Sequence, residues 1–245
     1  MDPNLLFQSL IQADSTNNYA TQQIREGLAF HGNAWFTSNQ TEGKGQRGKR
    51  WESENGKNLA ISIALQPPNH LNDSHFVFNM FVANTCASFL EGLLGQEISI
   101  KWPNDIFIND RKAGGILIEN IFRGKDWSWS VVGIGLNLNQ THFSAAAGRP
   151  VSLIQITGKS YDPEKIARDL HIHMLSALHS VEELDANIVL TSYNNRLYRK
   201  NEMVLFKKND ELFSCKIREV NAQGELMVEG APHFFRFGEV EWVLE

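Results

Sequence analysis

The sequence predicts an α+β protein, in which a mixed or antiparallel sheet with flanking helices is followed by a small β-barrel. Three observations support this prediction. Apolar residues recur at helical spacing in long segments, several short alternating segments lie between them, and five more such segments crowd the end of the chain. We therefore expect two domains, 1–196 and 197–245.

The first elements are predicted from caps and periodicity. Ser15 is the expected N-cap of a helix that runs to about Leu28. Residues 59–65 alternate at period two and predict a strand. Residues 72–94 have the apolar stripe of a long helix, with Asp73 or Ser74 near its start and Gly95 at its end.

The remaining elements follow in the same way. Four strands are expected at 98–101, 106–108, 115–121 and 129–138, with turn residues between neighbours. Helices are expected at 163–184 and 188–197. Short alternating runs at 203–206, 213–218, 225–229, 233–237 and 240–244 predict the closed barrel.

Composition limits the function classes. The chain has 245 residues, 42% of them hydrophobic, and a net charge of −5 from 23 basic and 28 acidic residues, which argues against general nucleic-acid binding. No apolar run approaches the roughly 18 residues of a membrane span, and the N-terminus lacks a basic secretory signal. We expect a soluble cytoplasmic protein in which Cys86 and Cys215 are buried, reduced thiols.

A glycine–cation segment is the first candidate site. Glycines allow a backbone to approach an anion, while lysine and arginine supply charge, so the segment suits a phosphate. It lacks the spacing of a Walker loop, and a solvated basic surface loop or a nucleic-acid patch remain alternatives. The segment is Gly43-Lys44-Gly45-Gln46-Arg47-Gly48.

Two further constellations are candidates. If 106–108 pairs with 115–121, Asp105 and Lys112 come close at one sheet edge, as a structural ion pair or as groups that hold Mg²⁺ and a substrate carboxylate. Gly133 and Gly135 lie inside a predicted strand, where glycine marks either ligand approach or a tight strand crossing. Composition and spacing alone thus indicate an anion- or nucleotide-handling enzyme without naming its substrate.

Five motifs, in this order, resemble the biotin–protein ligase (biotin–[acetyl-CoA-carboxylase] ligase) family. The resemblance covers about residues 13–140, and the expected barrel is similar to that family's small SH3-like domain. The motifs are Asp14-Ser15-Thr16-Asn17, Gln40 with the segment from Gly43 to Trp51, Lys101-Trp102-Pro103-Asn104-Asp105, Arg111-Lys112-Ala113-Gly114-Gly115 and Gly133-Ile134-Gly135-Leu136-Asn137.

The resemblance implies a two-step reaction. Biotin is first joined to ATP with Mg²⁺, giving biotinyl-5′-AMP and pyrophosphate, and biotin is then transferred to one lysine of a biotin carboxyl carrier domain. The site must hold an anionic intermediate and exclude water. A flexible glycine-rich loop that orders over the intermediate meets both needs.

The resemblance also implies residue roles. Lys112, Asp105 and Arg47 are the expected catalytic residues, and Asp105 is also a candidate ligand for Mg²⁺. The expected biotin-binding residues are Ser15, Thr16, Asn17, Gln40, Gly115 and Lys112. The expected residues for ATP and the adenylate are Gly43, Lys44, Gly45, Gln46, Arg47, Trp51 and Asn137.

Departures from the family pattern have consequences. Many members carry arginine where this chain has Gln46, so weaker retention of the adenylate is expected here. Some relatives also carry an N-terminal winged-helix domain and act as repressors. The ligase motifs begin at Asp14 in this chain, so ligase activity without sequence-specific DNA binding is expected.

Other functions stay open as alternatives at this point. A lipoate- or octanoate-transferring enzyme shares the general fold, and a non-enzymatic nucleic-acid-binding module would use the basic loop and the barrel. A biotin-sensing protein without the second step is opposed by Asp105 and Lys112. No membrane partner is expected, and a homodimer is a hypothesis.

Overall fold

The computed structural model describes residues 3–68, 75–144, 149–179, 185–230 and 233–243. The strands of its larger sheet are β1 (Phe7–Ser9), β2 (Ala34–Thr37), β3 (Leu59–Leu65), β4 (Ser99–Lys101), β5 (Asp105–Ile108), β6 (Arg111–Arg123) and β7 (Asp126–Leu136). They lie in the order β1-β2-β3-β7-β6-β5-β4, with β1 and β2 parallel and every other pair antiparallel. The predicted mixed sheet is therefore confirmed.

Helices cover both faces of this sheet. They are α1 (Thr16–Arg25), α2 (His75–Leu94), α3 (Leu153–Thr157), α4 (Pro163–His179) and α5 (Ala186–Asn195). The long helices α2 and α4 pack on one face, with α5 against α2, and α1 packs against β2, β3 and β7 on the other face.

Alternation along the central strands separates the core from the other face. Ile61 and Ile134 belong to the large core that α2 and α4 cover. Ser62 pairs across the ladder with Gly133 and points to the opposite side, because successive residues of a strand alternate between faces. On the side of α1, these glycine and small polar positions lie next to a second, smaller apolar cluster that includes Trp35 and Val131.

The helix α2 is unusually apolar. Over an 18-residue window its mean hydropathy is 1.3, so by length and composition it is comparable with a membrane-crossing helix, contrary to the expectation that no segment approaches that limit. Phe78, Met80 and Leu90 are completely buried in the protein core. Its apolar character is thus used in packing against the sheet and its neighbouring helices.

Several element boundaries differ from the predictions. The first helix ends at Arg25 rather than Leu28, because Gly27 has a left-handed φ of 73° and Leu28 is exposed. The predicted starts at 72–74 and the predicted end at 180–184 lie outside the described residues. The strands β1 and β2 and the helix α3 were not predicted, since runs of three to five residues carry too little periodicity.

The second sheet is all antiparallel. Its strands are β8 (Met203–Lys208), β9 (Glu211–Val220), β10 (Leu226–Glu229), β11 (Phe234–Phe235) and β12 (Glu241–Val243). They lie in the order β11-β10-β9-β8-β12, and Phe206 and Phe235 are completely buried in the core of this sheet. The described pairings place β11 and β12 at its two ends, without closing the sheet between them, and the boundary at 196/197 remains a prediction.

Both cysteines are free and buried, as expected from their apolar sequence contexts. Cys86 lies in α2 and Cys215 in β9. Burial raises the pKa of the Cys86 thiol to about 12, so this group stays protonated and acts as a small core residue.

The helix α5 connects the turn that precedes Asp105 to the second sheet. The hydroxyl of Tyr193 donates to the carbonyl oxygen of Pro103 at 2.8 Å, in the turn that precedes Asp105. The side chain of Asn194 donates to the carbonyl of Val220 at 2.9 Å and accepts from its N–H at 2.7 Å. Tyr193 and Asn194, which are adjacent in α5, therefore connect the turn and the second sheet to the same helix.

We expect Tyr193→Phe to lower the free energy of unfolding by about 1 kcal/mol, because the partly buried hydrogen bond from the completely buried Tyr193 to the carbonyl of Pro103 is lost. Urea denaturation measures this loss. Tyr19→Phe is the matched control, because the Tyr19 hydroxyl has no hydrogen-bond partner among the residues that the structure describes. Equal stability of the two variants would contradict this role for Tyr193.

Candidate functional site

A row of small and charged residues crosses five strands on one face of the first sheet. Ala60 pairs with Gly135, Gly135 with Gly115, Gly115 with Asp105, and Asp105 with Lys101. Cross-strand partners project to the same side of a sheet. The two glycines therefore form a floor without side chains of its own, and the charged groups lie at one end of it.

A β-bulge turns Lys112 toward this row. The register of β5 with β6 shifts at Ala113, so that Phe107 pairs with Lys112. An extra residue reverses the side to which the next side chain points, and a regular ladder would place Lys112 on the face opposite Asp105. Instead, Lys112 Nζ lies 2.6 Å from Asp105 Oδ1, and the predicted proximity of these two residues is confirmed.

Lys101, which belongs to one of the five motifs but has no expected role of its own, adds a second ammonium group. Its Nζ lies 3.9 Å from Asp105 Oδ2 and 5.1 Å from the ring centre of Trp242 in the second sheet. Burial lowers the pKa of the Lys101 ammonium; Asp105 opposes this shift and Lys112 adds to it. Asp105 thus lies between the ammonium groups of Lys101, which is near Trp242, and of Lys112, which is closer to Asp105.

The surroundings of Asp105 do not fit a magnesium site. Its two oxygens face two ammonium groups, which oppose the approach of a divalent cation. In the described part of the chain, no three His, Cys, Asp or Glu side chains come together in a metal-binding cluster. In this structure Asp105 is the partner of two ammonium groups and does not have the surroundings of a metal ligand.

Trp51 lies over the glycine floor. A Cβ on Gly135 would lie 2.7 Å from its ring and a Cβ on Gly115 would lie 3.5 Å from it, while Lys112 Nζ is 5.8 Å from the ring centre. Its indole Nε1 is buried and has no hydrogen-bond partner among the described residues. The indole thus forms a wall of the site, and its N–H is free to donate.

The glycine–cation segment folds into a closed hairpin over residues 43–51. The N–H of Gly45 donates to the carbonyl of Lys49 at 2.7 Å, and that of Trp51 donates to the carbonyl of Gly43 at 2.9 Å. The predicted adenylate segment is therefore physically joined to the Trp51 wall of the site.

The cations of this hairpin contact other parts of the protein. Lys44 Nζ donates to the side chain of Asn18 in α1. Arg47, which has a left-handed φ of 55°, donates from Nη1 to the carbonyl of Gly238 at 2.9 Å, and Gln46 begins the short 3-10 turn that contains it. Their expected roles at a phosphate remain predictions.

A polar network lies at the N-terminus of α1, over Gly133 of β7. The strip of sheet face from Gly133 to Asp105, against which Asn17 and Trp51 lie, forms the groove of this site. The Ser15 hydroxyl caps the helix by accepting from a backbone N–H of its first turn. Gln40 Oε1 accepts from the N–H of Thr16 at 2.9 Å. The Ser62 hydroxyl lies 2.7 Å from that of Thr16 and 2.6 Å from Asn17 Oδ1. Four residues of the predicted biotin set thus come together here.

Sequence reasoning missed two members of this network. Ser62 is completely buried and is the single hydroxyl in an otherwise apolar strand, a signal that could have identified it. Glu119 Oε2 accepts from Asn17 Nδ2 at 2.7 Å across more than a hundred residues, a contact without a local sequence signal. A Cβ on residue 133 would overlap the Asn17 amide, which explains why this residue is glycine.

Asn137 lies beyond the end of β7 and is buried. Its side-chain nitrogen donates to the carbonyl of Lys112 at 3.4 Å and to that of Val151 at 3.2 Å. These bonds hold the backbone that carries Lys112. The expected role of Asn137 toward ATP remains a prediction.

The chain matches the model of the biotin/lipoate A/B protein ligase family over residues 9–137. It is 27% identical to the bifunctional ligase/repressor BirA of Escherichia coli (strain K12) over 223 residues, which cover 88% of this chain and 67% of that protein. It is 35% identical to the biotin–[acetyl-CoA-carboxylase] ligase of Paracoccus denitrificans over 162 residues, covering 64% and 66% of the two chains. The chain thus spans about two thirds of these relatives' length.

Its fold is also similar to that of solved structures. A point mutant of the biotin protein ligase from Aquifex aeolicus, in complex with biotin, superposes with a TM-score of 0.77 at 22% identity and 98% coverage of both chains. The ligase from the same organism in complex with biotin and ATP gives a TM-score of 0.75 at 22% identity, covering 98% of this chain and 95% of that one. At this identity the likeness establishes the fold, second sheet included.

We expect Gly135→Ala to displace Trp51, because the new Cβ would lie too close to its ring. Hydrogen exchange followed by mass spectrometry will then show residues 43–51 exchanging roughly tenfold faster. Gly92→Ala, in the exposed part of α2, is the control and gains up to about 1 kcal/mol of stability. Unchanged exchange of the hairpin in Gly135→Ala would contradict the role of Trp51.

Proposed function

The chain belongs to the biotin/lipoate A/B protein ligase family, and we propose that it is a biotin–protein ligase. In this proposal it activates biotin with ATP to biotinyl-5′-AMP and transfers biotin to a lysine of a biotin carboxyl carrier domain. The relatives whose names describe biotin ligation support the assignment. Their match extends past the family motifs and over most of this chain.

One observation carries the proposal: a line of glycines on one face of the sheet, with Gly133 under Asn17 and Gly135 and Gly115 under Trp51, joins the polar network of α1 to the Asp105–Lys112 ion pair. Gly133, beneath the network, and Asp105 are two strands and two residues apart, roughly 12 Å at ordinary sheet spacings. A bicyclic head with an extended carboxylate chain suits a groove that is polar at one end and cationic at the other. The proposal requires Trp51 to move away from Gly135 and Gly115, which it now covers, so that the apolar chain can lie on these glycines.

The first step needs positive charge at the carboxylate. A carboxylate oxygen of biotin attacks the α-phosphorus of ATP, the new O–P bond forms, and pyrophosphate leaves. The bulge holds the Lys112 ammonium over the end of the groove, where it binds the carboxylate and stabilises the charge that develops on the reacting oxygens. Because Asp105 and Asn137 fix this lysine, little reorganisation is needed.

The second step needs a neutral amine. The ε-nitrogen of the carrier lysine attacks the acyl carbon, an amide bond forms, AMP leaves, and one amine proton is lost. A free lysine has a pKa of about 10.4 and is protonated near neutral pH. We assign Asp105 to accept or orient that proton, since its carboxylate lies beside the groove and already holds ammonium groups.

The hairpin 43–51 is assigned to the nucleotide. Trp51 supplies a flat wall and a free indole N–H. We assign Lys44, Gly45, Gln46 and Arg47 to the phosphate side of the nucleotide. This assignment requires Lys44 and Arg47 to exchange their present contacts with Asn18 and Gly238 for the ligand. Such an exchange would close the hairpin over the intermediate and exclude water.

The partner in this proposal is a carrier domain of a biotin-dependent carboxylase, and the cellular site is the cytoplasm. Magnesium accompanies the nucleotide phosphates in the proposal, as it commonly does. Sequence-specific DNA binding and membrane binding form no part of it, and homodimerisation stays a hypothesis for sedimentation with and without ligand.

The test is a mass spectrum of a purified carrier domain after incubation with the protein, biotin and Mg-ATP. We expect one biotinyl group on a single lysine, dependent on ATP and absent when lipoate replaces biotin. Lipoyl transfer would instead establish the lipoate alternative. If neither modification nor pyrophosphate is formed, the ligase assignment fails, and salt-dependent binding to generic DNA or RNA would then support the binding-module alternative.

We expect Lys112→Ala to abolish adenylate formation, because the developing charge loses its ammonium partner. The assay is pyrophosphate release in the absence of carrier. Lys125→Ala, an exposed lysine in the β6–β7 turn, is the control and retains full activity. Normal adenylation by Lys112→Ala would remove the central role assigned to this lysine.

We expect Gln46→Arg to lengthen the half-life of enzyme-bound biotinyl-5′-AMP by about tenfold, since arginine can form a bidentate contact with the phosphate. Rapid filtration after a biotin pulse measures this half-life. Gln8→Arg adds the same charge on the exposed edge strand β1 and serves as the control. A half-life equal to that of the control would show that residue 46 does not retain the adenylate.

A further inference from the structure

The two lysines at Asp105 differ in their freedom to move. Lys112 Nζ lies 2.6 Å from Asp105 Oδ1, and 30% of the Lys112 side chain is exposed. Lys101 Nζ lies 3.9 Å from the other oxygen, Oδ2, and only 15% of the Lys101 side chain is exposed. In the proposed first step Lys112 turns to the carboxylate of biotin, so Asp105 Oδ1 loses this partner. Lys101 then remains as the ammonium group that faces Asp105.

Aromatic rings enclose the ammonium of Lys101. Its Nζ lies 5.1 Å from the ring centre of Trp242 and 5.9 Å from that of Phe107. Tyr198, which is 4% exposed, packs against both rings, with ring-centre distances of 6.0 Å to Trp242 and 4.7 Å to Phe107. The face of an aromatic ring attracts a cation, most strongly where water is scarce. These rings therefore hold Lys101 in place while Lys112 changes its partner.

The backbone that carries this contact is also held. Lys101 and Asp105 are cross-strand partners at the end of the β4–β5 hairpin, so their side chains project to the same side of the sheet. In the turn between them, the indole of Trp102 donates to the carbonyl of Gly224 at 3.0 Å. The second sheet thus holds the Lys101 ammonium, through Trp242, and also the turn that sets the position of Asp105.

The incoming lysine of the second step is a cation, and it needs the position that Lys112 leaves. The side chain of Asp105 turns about two single bonds, and its two oxygens are chemically alike. With Oδ2 held by Lys101, the free Oδ1 stays directed at the end of the groove, where the acyl carbon lies in the proposed function. Without Lys101, the carboxylate either turns away or retains Lys112. A displacement of about 1 Å at a reacting group can cost roughly a hundredfold in rate.

We propose that Lys101 is a positioning residue for the transfer step, in which it holds Oδ2 of Asp105 so that Oδ1 receives the ε-nitrogen of the carrier lysine. This role rests on the proposed function and deepens it. Asp105 Oδ1 takes up one proton from the carrier ammonium, and the resulting amine forms the C–N bond. The bond from the acyl carbon to the phosphate oxygen breaks, AMP leaves with that electron pair, and the second proton passes to its phosphate.

The experiment measures single-turnover transfer from preformed, enzyme-bound biotinyl-5′-AMP to a purified carrier domain, with the full chain. For Lys101→Met, which keeps the length of the side chain but removes its charge, we expect the maximal transfer rate to fall about tenfold. The carrier concentration at half-maximal rate should stay within about twofold of wild type, because an enclosed side chain leaves carrier docking unchanged.

Two matched variants accompany Lys101→Met. Lys101→Arg restores a cation for Asp105 Oδ2 and should return the transfer rate to within about threefold of wild type. Lys125→Met removes a lysine from the exposed β6–β7 turn and should transfer biotin at the wild-type rate.

A second nucleophile separates positioning from general damage. Hydroxylamine is uncharged near neutral pH and attacks an acyl adenylate to give the hydroxamate and AMP, so it needs no carboxylate to bind or deprotonate it. In Lys101→Met we expect its rate with the bound adenylate to stay within about twofold of wild type. The rate of adenylate formation should fall about fivefold less than the rate of transfer to the carrier.

Trp242 provides an independent variant. Trp242→Leu removes the ring face beside Lys101 and should lower the transfer rate about threefold. Because Trp242 acts through Lys101, its replacement in the Lys101→Met background should cause no further loss. A further loss of the same size in the double variant would contradict this link.

Each result decides one point. If wild type forms no biotinyl-5′-AMP or modifies no carrier, the proposed function fails and the role of Lys101 with it. If wild type is active but Lys101→Met transfers biotin within about twofold of wild type, the role of Lys101 alone is overturned. It is also overturned if Lys101→Arg is as slow as Lys101→Met, or if the hydroxylamine reaction, adenylate formation and transfer slow in parallel. A higher half-maximal carrier concentration without a loss of maximal rate would place Lys101 in carrier docking and overturn it as well.

Discussion

The site depends on the absence of side chains at the centre of the larger sheet. Gly115 and Gly135 pair across β6 and β7, and Gly133 lies on the same face two residues before Gly135. A Cβ at Gly133 would collide with Asn17, and one at Gly135 would collide with Trp51. Glycine weakens a strand, but the opposite face of the same strands is packed with large aliphatic residues of the main core. The core thus stabilises strands whose other face carries no side chains at these positions, where Asn17 and Trp51 lie against the sheet.

Charge is concentrated where this glycine floor ends. The bulge at Ala113 turns Lys112 toward Asp105, and Lys101 approaches the same carboxylate from β4. One acidic group between two amines is stable as an ion cluster, and it can exchange partners when a substrate carboxylate or an incoming lysine arrives. The same cluster therefore serves both steps of the proposed reaction.

The second sheet contributes to this site through several contacts. Trp242 lies against Lys101, and the carbonyl of Gly238 accepts from Arg47 of the hairpin. The carbonyl of Gly224 accepts from the indole of Trp102, next to the site turn. The C-terminal strands thus act on the environment of a site lysine and on the position of the nucleotide hairpin, in addition to their own stability.

The sequence by itself determined the fold class, the mixed sheet, the main helices and the segments that carry the site, because these depend on local periodicity, caps and turn residues. It also brought Asp105 and Lys112 together through the expected pairing of neighbouring strands. The tertiary structure alone decided that Ser62 and Glu119 join Asn17 and that Lys101 contacts Trp242, since those partners are far apart in the chain. It also decided the direction of Lys112, because a one-residue bulge leaves no periodic signal yet reverses the face to which a side chain points.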